Sequence, residues 1–64
     1  MTINSAIQAI DIIECHEDTT LEEFDQAFQY LIDTGTVWHL QGWYGRTANN
    51  LIADGRCTYA KQNI

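Results

Sequence analysis

The sequence predicts an all-α fold, a small bundle of three to four short helices over about residues 3–14, 20–34, 36–41 and 46–54. Apolar residues recur along the chain at spacings of three and four, which is the period of a helix with one buried face. Start and stop signals flank the longest of these segments. The chain contains no proline, so nothing interrupts the helical pattern.

The first helix is predicted from an apolar stripe near the N-terminus. The stripe consists of Ile3, Ala6, Ile7, Ile10 and Ile13. Thr2 or Asn4 is the expected N-cap. Isoleucine has only a middling helix propensity, so packing against the rest of the chain must stabilise this helix.

The second helix has the clearest boundaries. Thr20 and Glu23 fit a capping box, with Thr19 and Glu22 as the alternative register. Gly35 follows at the position where a left-handed C-cap is favoured. The side chains expected to face inward are Leu21, Phe24, Ala27, Phe28, Leu31 and Ile32.

Two shorter helices are expected after Gly35. Thr36 is a candidate cap for the segment 36–41, which Gly42 would end. The segment 46–54 ends before Gly55, and its inward side chains are expected to be Ala48, Leu51 and Ile52.

The pattern Leu-Ile-x-x-Gly occurs twice, at residues 31–35 and 51–55. We interpret it as shared C-cap chemistry rather than as a duplicated unit. The residue types at 57–59 are compatible with a short extended segment, but the sequence shows no second strand that could pair with it.

Length and charge limit the function. A chain of 64 residues is expected to form one domain, 1–64, with too little scaffold for most enzymes, so we expect no catalysis and no cofactor. The net charge of −6 disfavours a protein that binds duplex DNA by neutralising phosphates. The charge is unevenly distributed along the chain, with a net charge of −8 over residues 1–45 and of +2 over residues 46–64.

The compartment is expected to be the cytoplasm, because the sequence shows no signal peptide and no apolar run long enough to cross a membrane. Cys15 and Cys57 are therefore expected to be reduced thiols, with a disulfide as the alternative. Together with His16 and His39 they lack the paired spacing of a zinc site, so we predict no metal and instead a buried cysteine and a surface histidine.

Residues 31–48 read Leu-Ile-Asp-Thr-Gly-x-x-Trp-x-Leu-Gln-Gly-x-Tyr-Gly-Arg-Thr-Ala, and this run, continued to Cys57, resembles the core of a family of very small phage-encoded proteins. The resemblance implies a viral accessory protein made in a bacterial cytoplasm. It implies no chemistry. The positions of His39 and Trp43 vary in that family, so neither is assigned a shared functional role.

Four rings lie within seven residues, at Trp38, His39, Trp43 and Tyr44. Tryptophan and tyrosine are favoured anchors of protein–protein interfaces, so we predict interaction residues here. The alternative is a core or an oligomer interface, in which Trp38 would lie inside and Trp43 would be partly exposed.

Gly45-Arg46-Thr47 opens the last predicted helix, where free amides, the Thr47 hydroxyl and the Arg46 guanidinium could hold an anion. Alternatively, Thr47 caps the helix and Arg46 pairs with an acid of the first two helices, which would attach the C-terminal half of the chain to the acidic half.

The side of the second helix that is expected to face solvent forms an acidic face, which consists of Glu22, Asp25, Gln29 and Asp33. Such a face could mimic the phosphates of a nucleic acid, or it could simply be solvated.

These observations favour a small phage accessory protein that binds a host or phage protein and modulates or inhibits it. Self-association, as a dimer, is expected because so small a bundle has little core. The alternative is a helix-turn-helix-like nucleic-acid-binding protein, with segments 20–34 and 46–54 as its two helices and Arg46, Asn49 and Asn50 as base readers.

Overall fold

The computed structural model describes residues 3–14 and 19–59, and over these residues the chain is all-α with no strand. The predicted fold class is therefore confirmed. The helices follow in the order α1 (Ala6–Glu14), α2 (Leu21–Thr34), a 3₁₀ helix (Thr36–His39) and α3 (Gly42–Ala53). α2 is the central element, because α1, the 3₁₀ helix and α3 all pack against it.

The boundaries of α2 are those that the sequence predicts. The Thr20 hydroxyl accepts a hydrogen bond from the Glu23 amide at 3.1 Å, and the Glu23 carboxylate accepts one from the Thr20 amide at 3.0 Å. At the other end Gly35 has a φ of 79°, and its amide donates to the Ile32 carbonyl at 3.1 Å. The capping box and the left-handed C-cap are both confirmed.

α1 begins at Ala6, three residues later than predicted. Its N-cap is Ser5, whose hydroxyl accepts a hydrogen bond from the Gln8 amide at 3.2 Å. The expectation of Asn4 as the cap is wrong, and the alternative, Thr2, lies outside the described residues. Serine at this position satisfies an amide of the first turn of α1.

α3 begins at Gly42, four residues earlier than the predicted start at Arg46. Gly42 and Gly45 were expected to interrupt the chain, but a glycine inside a helix costs only about 1 kcal/mol. Gly45 also has a packing role, because the Trp38 ring lies against it and an added Cβ would sit 3.8 Å from that ring. The preceding segment, predicted as a helix over 36–41, is only the 3₁₀ turn Thr36–His39.

α3 ends in a Schellman motif centred on Gly55, which has a φ of 80°. The Gly55 amide donates to the Ile52 carbonyl at 3.1 Å, and the Arg56 amide donates to the Leu51 carbonyl at 2.9 Å. Gly35 and Gly55 thus end their helices in the same left-handed conformation. The two Leu-Ile-x-x-Gly patterns have the shared C-cap chemistry that was predicted.

A single hydrophobic cluster joins the helices. Its buried members are Ala9, Ile13, Ala27, Phe28, Leu31, Ile32, Val37, Tyr44, Ala48, Leu51 and Cys57. At its centre the Phe28 ring lies 5.0 Å from the Phe24 ring and 6.0 Å from the Tyr44 ring, measured between centroids. Such tilted aromatic pairs are typical of well-packed cores.

Two of the apolar residues predicted to face inward do not. Ile7 is 75% exposed and Leu21 is 70% exposed. The other members of the predicted α1 stripe do face the core: Ile13 is buried, and Ile3, Ala6 and Ile10 pack against the cluster, beside the buried Ala9. Leu21 is the first residue of α2 and lies beyond the end of the core. None of the described helices combines the length and apolar character needed to cross a bilayer.

Candidate functional site: an aromatic surface at the start of α3

Two half-exposed indoles lie at the N-terminal turn of α3. Trp38 is 44% exposed and Trp43 is 37% exposed. The partial exposure of Trp43 agrees with the prediction, but the expectation that Trp38 lies inside is wrong. In the 3₁₀ turn it is Val37 that enters the core, fully buried, and the neighbouring Trp38 is therefore directed outward.

Arg46 is exposed on α3, one turn after Gly42. Its guanidinium extends back over Gly42, where an added Cβ would come within 3.2 Å of Nη1. Viewed along the axis of α3, Gly42 and Arg46 lie between Trp43 on one side and Gly45 on the other. Gly45 is the residue that the Trp38 ring covers. We call the set Trp38, Gly42, Trp43 and Arg46 the Trp surface.

The anion site expected at Gly45-Arg46-Thr47 is not formed. α3 already begins at Gly42, so the amides of these three residues belong to the body of the helix and not to its free first turn. For the same reason Thr47 is not an N-cap. The other expectation, an ion pair between Arg46 and an acid, is also wrong, since Arg46 has no ion pair among the described residues.

Arg56 makes the attachment that was expected of Arg46. Its Nε donates to Asp25 Oδ2 at 3.1 Å and its Nη2 donates to Asp25 Oδ1 at 2.7 Å, a two-pronged contact between the C-terminal segment and α2. The hydrogen bonds to Asp25 raise the pKa of Arg56 above its ordinary value.

Tyr44, a predicted interaction residue, lies in the core with 4% of its surface exposed. Its hydroxyl donates a hydrogen bond of 2.6 Å to Glu14 Oε2 on α1. Burial, followed by the hydrogen bond to Glu14, raises the pKa of Tyr44 to about 12. The Trp43 ring stacks on the Tyr44 ring at 3.9 Å, so Tyr44 supports the Trp surface from beneath.

The acidic face of α2 is partly occupied by the chain itself. Gln29 binds the Thr58 peptide unit and also donates to Asp33 at 2.9 Å, while Asp25 is engaged by Arg56. Glu22 and Asp33 keep their side chains exposed. The groove along this face has a volume of about 490 Å³ and is lined by Glu22, Asp25, Gln26, Gln29 and Arg56.

Cys57 is a free, buried thiol whose Sγ lies 3.5 Å from the Asp25 carbonyl. Burial raises the pKa of this thiol, which lowers the fraction of reactive thiolate. His39 is exposed, as predicted, and Cys15 and His16 lie outside the described residues. Within the described ranges, no three His, Cys, Asp or Glu side chains are grouped as metal ligands.

Sequence reasoning missed two hydrogen-bonded contacts between residues far apart in the chain. The Gln29–Thr58 and Glu14–Tyr44 hydrogen bonds join residues 29 and 30 positions apart. Neither pair has a local sequence signal. The Ser5-x-x-Gln8 spacing, by contrast, is a readable N-cap signal and would have located the start of α1.

No curated protein and no solved structure matches the chain. A family model described as a domain of unknown function, DUF7417, matches residues 4–63, which is nearly the whole sequence. The chain therefore belongs to the DUF7417 family.

Proposed function

We propose that this protein is a phage accessory protein that works in the cytoplasm of a bacterial host, where it binds a host protein through the Trp surface and modulates or inhibits it. It acts by binding and not by catalysis. The observation that carries the proposal is the pair of half-exposed indoles of Trp38 and Trp43, with Arg46 exposed on the same helix and without an ion pair among the described residues.

The residue types support protein recognition. Tryptophan and arginine are enriched among the residues that dominate binding energy in protein interfaces. Each indole offers a large, rigid contact area at little cost in conformational entropy, and an arginine beside it adds charged hydrogen bonds. Trp38 and Trp43 are also anchored from below, by Gly45 and Tyr44, so the surface is preorganised for a partner.

The phage origin rests on the resemblance of residues 31–57 to a family of small phage-encoded proteins.

Mimicry of nucleic-acid phosphates by the acidic face of α2 would depend on Glu22 and Asp33, because Asp25 and Gln29 bind Arg56 and Thr58. The partner surface that fits best is one with an apolar pocket for an indole.

The proposal is tested by affinity capture from a bacterial lysate, read by quantitative mass spectrometry. The wild-type chain is compared with the double variant W38A/W43A and with a control, I7A/L21A, which removes exposed apolar side chains elsewhere. We expect one host protein to be captured by the wild type and the control and lost with W38A/W43A. Equal capture by a folded W38A/W43A variant, or no specific capture by the wild type, would contradict the proposal.

A second candidate is nucleic-acid binding through α3, which exposes Arg46, Asn49 and Asn50 on neighbouring positions. The charge opposes it, because Arg56 is paired with Asp25 and the chain carries a net −6. An electrophoretic shift of mixed DNA and RNA at low salt distinguishes the candidates. A shift lost in Arg46→Gln supports nucleic-acid binding, and the absence of any shift removes it.

A further inference from the structure

The outer side of α3 carries an exposed ridge, which we call the α3 ridge. It consists of Arg46, Asn50 and Asp54, spaced four residues apart, and all three side chains are exposed. Trp43 flanks the ridge at its Arg46 end. No described residue of the chain packs over these side chains, and ridges of this spacing are what helices use to pack against each other.

Both charges on the ridge are placed unfavourably within their own helix. The Arg46 guanidinium lies back over Gly42, at the N-terminal, positive end of the α3 dipole. Asp54 is the C-cap of α3, at the negative end. Neither side chain has a hydrogen-bonded partner within residues 3–14 and 19–59, and the Arg56 cation, which is near Asp54, is itself paired with Asp25.

We infer that the α3 ridge packs, antiparallel, against the α3 ridge of a second copy of the chain. A two-fold axis near Asn50 places Arg46 of each copy beside Asp54 of the other. Each arginine then lies at the C-terminal end of the opposing helix and each aspartate at its N-terminal end, so both charges are favourably placed.

The charge pattern favours a second copy as the occupant. Two chains of net charge −6 repel each other, so a face whose own charges match reduces the cost of their association. The α3 ridge carries one cation and one anion at equal distances from Asn50, which makes it self-complementary under two-fold symmetry. Asn50 adds an amide that both donates and accepts, so the two Asn50 side chains can bond across the axis.

The inference deepens the proposed function, since it names a second copy as a partner of the surface around Arg46 and rests on that surface being an interface. A dimer leaves Trp38, on the opposite side of Gly42 from the ridge, available in each copy. Self-association is measured on the pure protein, so its failure leaves the test by host capture unaffected.

Charge reversal provides the test, by sedimentation equilibrium at low salt. We expect the wild type to dimerise. Arg46→Asp and Asp54→Arg, each alone, place like charges together and weaken the dimer about tenfold or more. An equimolar mixture of the two variants should dimerise again, because in the mixed dimer both pairs are of opposite charge although both chains remain negative.

The matched control is Glu22→Arg on α2, which changes the net charge by the same amount as Asp54→Arg. It takes the place of Asp54→Arg in the mixture with Arg46→Asp. Glu22→Arg alone should dimerise like the wild type, and its mixed dimer with Arg46→Asp should be weaker than that of Arg46→Asp with Asp54→Arg, because only one of its two pairs is of opposite charge. All variants are exposed-site changes, and circular dichroism verifies that they fold. A monomeric wild type at high micromolar concentration overturns the inference. Single variants that dimerise unchanged, or a mixture that stays monomeric, overturn it as well.

Discussion

Gln29 on α2 pairs with the peptide unit of Thr58 in both directions, its Nε2 donating to the Thr58 carbonyl and its Oε1 accepting from the Thr58 amide, each at 2.9 Å. The Gln29 side chain thus pairs with a backbone donor and a backbone acceptor of Thr58, as a neighbouring strand does in a sheet. Residues 57–59 lack a strand partner among the described residues, so Gln29 satisfies the backbone groups that the sequence left unexplained.

Substitution of Gln29→Ala should destabilise the fold by about 1–2 kcal/mol, because it removes two hydrogen bonds that hold the C-terminal segment. Urea denaturation followed by circular dichroism measures the effect. Gln26→Ala is the matched control, since Gln26 is exposed on the same helix and its side chain donates a long hydrogen bond, of 3.5 Å, to Glu22. Equal effects of the two substitutions would show that the Gln29–Thr58 pairing does not stabilise the protein.

The Arg56–Asp25 contact should respond to geometry and to salt. Arg56→Lys keeps the charge but loses the two-pronged contact, so we expect a lower melting temperature at low salt. The difference from the wild type should shrink in high salt, because the pair is partly exposed and therefore screened. Asp54→Asn, which removes a charge near Arg56 without breaking its pair, is the comparison variant. An identical melting curve for Arg56→Lys would contradict the expectation.

The sequence predicts well what local chemistry determines. The start of α2 depends on the Thr20–Glu23 capping box, and its end depends on a glycine that can adopt a positive φ. Both signals lie within a few residues of the boundary they specify. Ser5 and Gln8 specify the start of α1 in the same local way.

The errors have a common physical cause, which is tertiary packing. α3 begins at Gly42 and includes Gly45 despite their weak helix propensity, and the Trp38 ring covers Gly45. The Schellman motif sets the direction of the chain after α3. This direction brings Arg56 to Asp25, so Arg56 and not Arg46 forms the ion pair with α2. Likewise, the exposure of Trp38 depends on Val37 filling the core. None of these outcomes can be read from spacing alone.

Two glycine substitutions should have opposite effects. Gly45→Ala places its Cβ at ordinary contact distance from Trp38 in a helical backbone, so it should stabilise the fold by about 0.5–1 kcal/mol. Gly55→Ala has open space around its Cβ but must adopt a φ of 80°, so it should destabilise by about 1 kcal/mol. Urea denaturation of both variants measures the signs. Two effects of the same sign would refute the assignment of the two glycines to different roles.

The Tyr44 hydroxyl makes the stability of the fold depend on pH in the alkaline range. Burial and Glu14 raise the pKa of Tyr44 to about 12 in the folded chain, against 10.0 for an unperturbed tyrosine. Between these two values the unfolded chain has released the proton and the folded chain keeps it, so stability falls as the pH rises. The contribution is complete below pH 10 and is lost by about pH 12.

Tyr44→Phe isolates this contribution from the other groups that titrate in the same range. The variant should be less stable than the wild type at neutral pH, because it lacks the 2.6 Å hydrogen bond to Glu14. As the pH rises from 10 to 12, the difference in unfolding free energy should shrink and then reverse, since phenylalanine has no proton to retain. A Tyr44→Phe difference that stays constant over that range would mean that Tyr44 titrates as it does in the unfolded chain.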